Sequence, residues 1–240
     1  MLRLALFDLD DTLFQHARAV REGIVAHAAV LGSAYAGEPA DVQRRWYELE
    51  EERYHRYLAG ELDYEGQRRA RATAFAADAG VELSPEEASD WFAAYLEQYV
   101  AAWTLHDDAL PALDRLDAAG VRIGVITNGD LEFQTRKMDA IALSERVEHL
   151  IASGEVGVTK PEARIFQVAC ERFGVAPSDA AYVGDRLGTD AIGAARAGLR
   201  GVWLDRVGGP EHGRELPEDA VDLGVRRIGS LDELPALLGL

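Results

Sequence analysis

Four helical stretches of this chain stop at a glycine followed at once by a β-branched or aliphatic residue: Gly80-Val81, Gly120-Val121, Gly174-Val175 and Gly198-Leu199. A glycine takes the left-handed conformation that ends a helix without steric cost. At the last three stops an apolar run begins at the stop or soon after it, which is the signature of short helix-to-strand loops. The expected strands are a buried run from Leu2 to Phe7, then Val121 to Ile126, His149 to Ala152, Ala181 to Val183, Val202 to Leu204 and a last one around 227–228. Strands that alternate with helices imply an α/β fold: a doubly wound, Rossmann-like parallel sheet. In such a sheet ligands bind beyond the carboxyl ends of the strands, which directs attention to the residues there.

The alternation has one interruption. Residues 15–100 read as an all-helical insertion of four or five helices, rich in Ala, Arg, Glu and aromatics, with Ser84-Pro85-Glu86-Glu87 as a helix start. The expected division is therefore an α/β core of residues 1–14 and 101–240 and a helical cap of residues 15–100. Within the insertion, Arg44, Arg45, Trp46, Tyr47, Tyr54, His55, Tyr57, Arg68, Arg69 and Arg71 form an aromatic and cationic set, most of them expected to pack or face solvent. Glu48 to Glu52 reads as a solvated helix face.

Charge and composition narrow the partners. The 240 residues carry a formal net charge of −17, which repels nucleic acid and anionic lipid at long range. No run approaches the ~20 apolar residues that span a bilayer. The N-terminal Met1 to Phe7 is too short and too soon followed by acidic residues to serve as a signal peptide. Cys170 is the single cysteine, which fits a reducing cytoplasm. The expected partner is a small molecule, and an anionic one would need a metal or a placed cation to bind; the chain is expected to act as a monomer or homodimer.

Four short segments stand at the strand ends: Asp8-Leu9-Asp10-Asp11-Thr12, Thr127-Asn128-Gly129, Gly184-Asp185 with Asp190, and Lys160-Pro161, the last in the loop leading to a helix over 162–173. Asp8 and Asp10 are two residues apart at the end of a strand and project to one side. Two such carboxylates repel, and are tolerated if a cation lies between them, if one keeps its proton, or if both stand in water. Each segment alone also reads as an ordinary turn or helix start. Lysine is scarce, Lys137 and Lys160 being the whole supply. The six histidines are scattered and form no metal-type pair.

In this order, with a helical insertion between the first and second, the four segments resemble those of the haloacid dehalogenase-like hydrolase superfamily, in its phosphatase branch with a helical cap. The resemblance implies that Asp8 is a nucleophile that becomes an aspartyl phosphate, and that Asp10 is the general acid and base. It implies that Thr127, Asn128 and Gly129 hold phosphoryl oxygens and that Lys160 neutralises the nucleophile and the phosphate. It further implies a Mg²⁺ site made by Asp8, the Asp10 carbonyl and Asp185, with Asp190 orienting the metal shell or Lys160. An oxygen-only donor set suits this hard cation and disfavours zinc. Arg186 departs from the family pattern, in which a small hydroxyl residue often follows the motif's aspartate. The expected activity is Mg²⁺-dependent hydrolysis of a small phosphomonoester, a nucleotide or sugar phosphate, with a leaning towards nucleotide and acylneuraminate phosphatases. A phosphomutase, a metal-independent 2-haloacid dehalogenase and a non-catalytic binding module are the alternatives, and Asp10 argues against the dehalogenase.

Overall fold

The computed structural model describes residues 2–35, 37–207, 209 and 211–240. It falls into two compact units, one made of Met1–Gln15 and Thr104–Leu240, the other of His16–Trp103.

The first unit is built on a six-stranded parallel sheet. Its strands are β1 (Leu4–Phe7), β2 (Arg122–Thr127), β3 (His149–Ala152), β4 (Ala180–Gly184), β5 (Arg200–Leu204) and β6 (Arg226–Ile228), in the spatial order β3-β2-β1-β4-β5-β6. The sheet is the expected doubly wound α/β arrangement, with β1 and β4 flanking the point where the winding reverses. Every residue of β1 is buried, as a central strand covered on both faces requires. In register, Phe7 stands beside Val125 of β2 and Val183 of β4, so the segments that follow these three strands emerge side by side.

The second unit contains α1 (His16–Leu31), α2 (Pro39–Leu58), α3 (Tyr64–Asp78) and α4 (Pro85–Ala101), with a short 3-10 turn at Ser33–Tyr35. Ser84 and Glu87 cap α4 reciprocally, as the Ser-Pro-Glu-Glu pattern predicts. The interior is aromatic: the ring of Trp46 lies 4.7 Å from that of Tyr95 and 5.4 Å from those of Phe75 and Trp91. Of the aromatic and cationic set read from the sequence, Trp46 and Arg71 belong to this interior, with the Arg71 guanidinium 4.5 Å over the Trp46 ring. One reading is corrected here. Glu50 is not part of a solvated face, because Arg71 Nη1 lies 2.9 Å and His16 Nε2 3.7 Å from its carboxylate. Burial alone would raise the Glu50 carboxyl, but the adjoining Arg71 and His16 bring it down to about 2.

Around the sheet stand α5 (Ala109–Ala118), α6 (Leu131–Ala140), the single turn α7 (Ser153–Val156), α8 (Ala163–Phe173) and α9 (Gly193–Arg196). A wide π-helical turn, Leu187–Ile192, leads into α9. Ile165, Phe166, Ala169 and Phe173 of α8 pack with Leu4, Leu6, Ile126, Ile151 and Tyr182 of the sheet into one continuous core cluster. No described helix is long and apolar enough to cross a membrane.

Candidate active site

Asp8 follows β1 directly, and its N–H still donates to Val183 O at 2.9 Å, which ties the carboxylate to the sheet's end. The chain then turns sharply through Asp11, whose φ of 61° is left-handed, a conformation aspartate tolerates better than most residues. Thr127 ends β2, Asp185 follows β4, and Asp190 lies in the wide turn after it. The expected convergence of these segments on one end of the sheet is thereby realised among the described residues.

Lys160 is the centre of the site. Its side chain is buried, and its Nζ donates to Asp8 Oδ1 at 2.5 Å, Tyr182 Oη at 2.7 Å and Asp190 Oδ1 at 2.8 Å. Three acceptors use all three ammonium hydrogens, so this group is a fixed charge and not a roving donor. Burial alone would lower Lys160, but the flanking Asp190 and Asp8 hold it well above its ordinary value. The loop that carries it is fastened by Asn128, whose Oδ1 accepts from Lys160 N at 2.7 Å while Nδ2 donates to Lys160 O at 3.0 Å. The Asn128 side chain, expected on phosphate, thus grips the lysine's own peptide groups and keeps one amide hydrogen for a ligand.

Asp8, Asp185 and Asp190 bring carboxylate oxygens within 4.8 Å of one another. Burial, the nearby Asp190 and Asp10 raise Asp8 to about 7 even though Lys160 works in the other direction. Burial and the charges of Asp8, Asp190 and Asp11 raise Asp185 well above the carboxylate range, against Arg186. A dication would relieve this crowding, and the donors are all oxygens, so the residues fit a hard metal such as Mg²⁺. The three carboxylates are not equivalent. Asp190 spends Oδ1 on Lys160 and Tyr182 and Oδ2 on the Arg186 N–H at 3.0 Å, which leaves Asp8 and Asp185 as the pair with oxygens to spare. Arg186 places its Nε 3.9 Å from Asp185 Oδ2.

Gly184 explains how Asp190 reaches this position. A Cβ on Gly184 would lie 2.4 Å from Asp190 Cγ, so the strand must end in glycine for the carboxylate to fold beneath it.

Asp10 stands apart from that trio, with 30% of its side chain exposed. Its Oδ1 accepts from Lys137 Nζ at 2.6 Å and its Oδ2 from Gln134 Nε2 at 3.2 Å; the same amide donates to Thr127 Oγ1 at 2.9 Å. Sequence reasoning assigned no role to Gln134, Lys137 or Tyr182. The first two sit three residues apart on α6, immediately after Thr127-Asn128-Gly129, and that one-face spacing of polar residues was the available signal. Tyr182 carries no such mark, because a tyrosine in a buried strand reads as core.

The resemblance read from the motifs extends over the chain. A model of the haloacid dehalogenase-like hydrolase family matches residues 2–198. The chain is 32% identical to the phosphoserine phosphatase of Thermus thermophilus over 253 residues, covering 97% of this chain and 98% of that relative. It is 32% identical to the N-acylneuraminate-9-phosphatase of Rattus norvegicus over 244 residues, covering 99% and 94%. Among solved structures, a putative HAD-hydrolase YfnB from Bacillus subtilis, bound to magnesium, is similar with a TM-score of 0.80 at 20% identity, covering 100% of this chain and 99% of that one, a likeness of fold. A family match over residues 2–198, together with carboxylates and a lysine gathered at the sheet's end from the segments the motifs name, makes this chain a member of the haloacid dehalogenase-like hydrolase family.

Proposed function

We propose that the chain is a cytoplasmic, Mg²⁺-dependent phosphatase of small phosphomonoesters that works through an aspartyl phosphate on Asp8. The observation that carries the reading is the buried Lys160 ammonium seated on Asp8 Oδ1 beside Asp185, with a second, more exposed carboxylate at Asp10. A carboxylate that attacks a phosphate dianion needs its charge offset, and phosphoryl transfer depends chiefly on positioning and neutralisation. Mg²⁺, held by Asp8, the Asp10 carbonyl and Asp185, would supply charge neutralisation for nucleophile and phosphate. Asp190 serves Lys160 rather than the metal in this reading, since both its oxygens are engaged.

The chain's own groups then divide the work. An Asp8 oxygen forms a bond to phosphorus as the bond to the leaving oxygen breaks, and Asp10 gives that oxygen a proton. Asp10, now a carboxylate, takes a proton from water as the water oxygen attacks the aspartyl phosphate, and the bond to Asp8 breaks to release phosphate. Thr127 Oγ1, already accepting from Gln134, is free to donate its own hydrogen to a phosphoryl oxygen, and the Asn128 and Gly129 region offers further donors. The helical unit, residues 16–103, is the cap in this scheme, selecting the leaving group.

The relatives' names give the substrate panel: phosphoserine and an acylneuraminate 9-phosphate, to which sugar phosphates, nucleoside monophosphates and phosphoglycolate are added. Phosphate release from at least one member with Mg²⁺ present is the expected result. Release of halide from a 2-haloacid without metal, with no phosphate released from any member, would overturn the reading in favour of a dehalogenase.

A further inference from the structure

The two lysines of this chain have parallel placements: Lys160 meets Asp8, and Lys137 meets Asp10. Lys137 is almost wholly buried, which an ammonium tolerates only when paired, and its Nζ lies 2.6 Å from Asp10 Oδ1. The Phe14 ring, with its centroid 4.7 Å from Nζ, and the Phe133 ring at 5.6 Å flank the ammonium and restrict water there. One turn earlier on α6, Gln134 donates to the other Asp10 oxygen and to Thr127 Oγ1. Gln134 reaches both because residue 129 is glycine, where a Cβ would stand 2.8 Å from its Nε2.

Resting on the phosphatase reading, we infer that Lys137, with Gln134, is a positioning residue that clamps the Asp10 carboxylate by both oxygens and fixes its aim in the two half-reactions. A carboxylate that must meet a leaving oxygen and then a water gains from a single orientation, since small misplacement costs rate steeply. A helix that starts at the Thr127-Asn128-Gly129 segment and also carries the clamp keeps Asp10 and the Thr127 hydroxyl in one rigid frame.

The test compares the full-length wild type with Lys137→Met, which keeps the length and loses the charge, and with Gln134→Leu. Kinetics with p-nitrophenyl phosphate and with an alkyl phosphate from the panel are read alongside the aspartyl phosphate trapped by rapid quench. The expected result for Lys137→Met is kcat lower by at least about tenfold with KM within about threefold, a larger loss on the alkyl phosphate, and more trapped intermediate. Gln134→Leu should move the same quantities by less. Wild-type kcat in Lys137→Met, or a thermal midpoint that falls with no change in kcat or intermediate, overturns the inference and makes the pair structural only. If Lys137→Met does not fold, Gln134→Leu decides: a kcat and an intermediate level equal to wild type overturn the inference. A wild type that releases phosphate from no substrate overturns the phosphatase reading itself, and is distinguished by failing before any variant is compared.

Discussion

At Lys160 three short hydrogen bonds leave no hydrogen for a ligand, so the charge of this residue matters more than its donors. Tyr182→Phe removes one acceptor from a buried ammonium and one partner from Asp190, a loss on the order of 1–3 kcal/mol in stability. Denaturant titration should register that loss, with kcat reduced because Lys160 is less firmly seated. Asp8→Asn should lower phosphate release by at least about a thousandfold, the scale on which loss of a nucleophile is felt. It should do so in a folded chain, because the change removes one of three crowded carboxylates while Asp190 still pairs Lys160. Substantial turnover of p-nitrophenyl phosphate by folded Asp8→Asn would remove the nucleophile assignment. The same crowding predicts the metal response: chelation abolishes activity and Mg²⁺ restores it, whereas Ca²⁺, which prefers more ligands in looser geometry, inhibits. Full activity after exhaustive chelation would contradict that expectation.

The elements show how one strand end depends on one residue. Gly184→Ala would push a Cβ against Asp190 where strand β4 gives way to the wide turn. The expected cost is about 1–3 kcal/mol, with activity falling further because Asp190 must move off Lys160. A Gly184→Ala variant with wild-type stability and kcat would show that the turn relaxes freely. This glycine also marks what was legible. The strands could be read because glycine stops and buried apolar runs are local, and β3 has the span expected for it, His149–Ala152. The aspartates and Lys160 could be read because each stands at a strand end or in a loop, where polar residues have no packing reason to be. Glu50 and Lys137 could not. Each is a charge on a helix whose partner is far off in sequence, so local pattern assigns it to solvent, and only tertiary pairing reveals otherwise. Tyr182 was hidden for the opposite reason, a polar tip on a side chain that burial alone explains.

For the whole molecule, pH sets two opposing effects. A net charge of −17 makes the folded chain repel itself, and protonating carboxylates at about pH 4–5 relieves that repulsion. Any loss of stability between pH 6.5 and 5 must therefore come from groups that resist protonation when folded. His27 is such a group: it is buried in the helical unit with its ring 4.4 Å from that of Trp91, and burial lowers it to about 4. The unfolded chain then binds a proton below about 6.5 that the folded chain refuses until about 4. Stability from this source is complete above 6.5, falls as pH drops, and has gone by 4, up to about 3 kcal/mol in all. Glu50 adds a second, lower window: its carboxyl is depressed, so its contribution is complete above about 4.5 and is lost as pH falls towards 2. His106, also lowered to about 4 by burial and then by Arg206, acts the same way in the α/β unit, so the probe must distinguish the units. Trp46, Trp91 and Trp103 lie in the helical unit and Trp203 in the other, and tryptophan fluorescence is therefore weighted to the helical unit. Urea titrations followed by fluorescence should show the wild type losing stability from pH 7 to pH 5, and His27→Leu losing distinctly less over the same interval. An equal loss in the two proteins would mean that His27 is not the group whose protonation opens the helical unit.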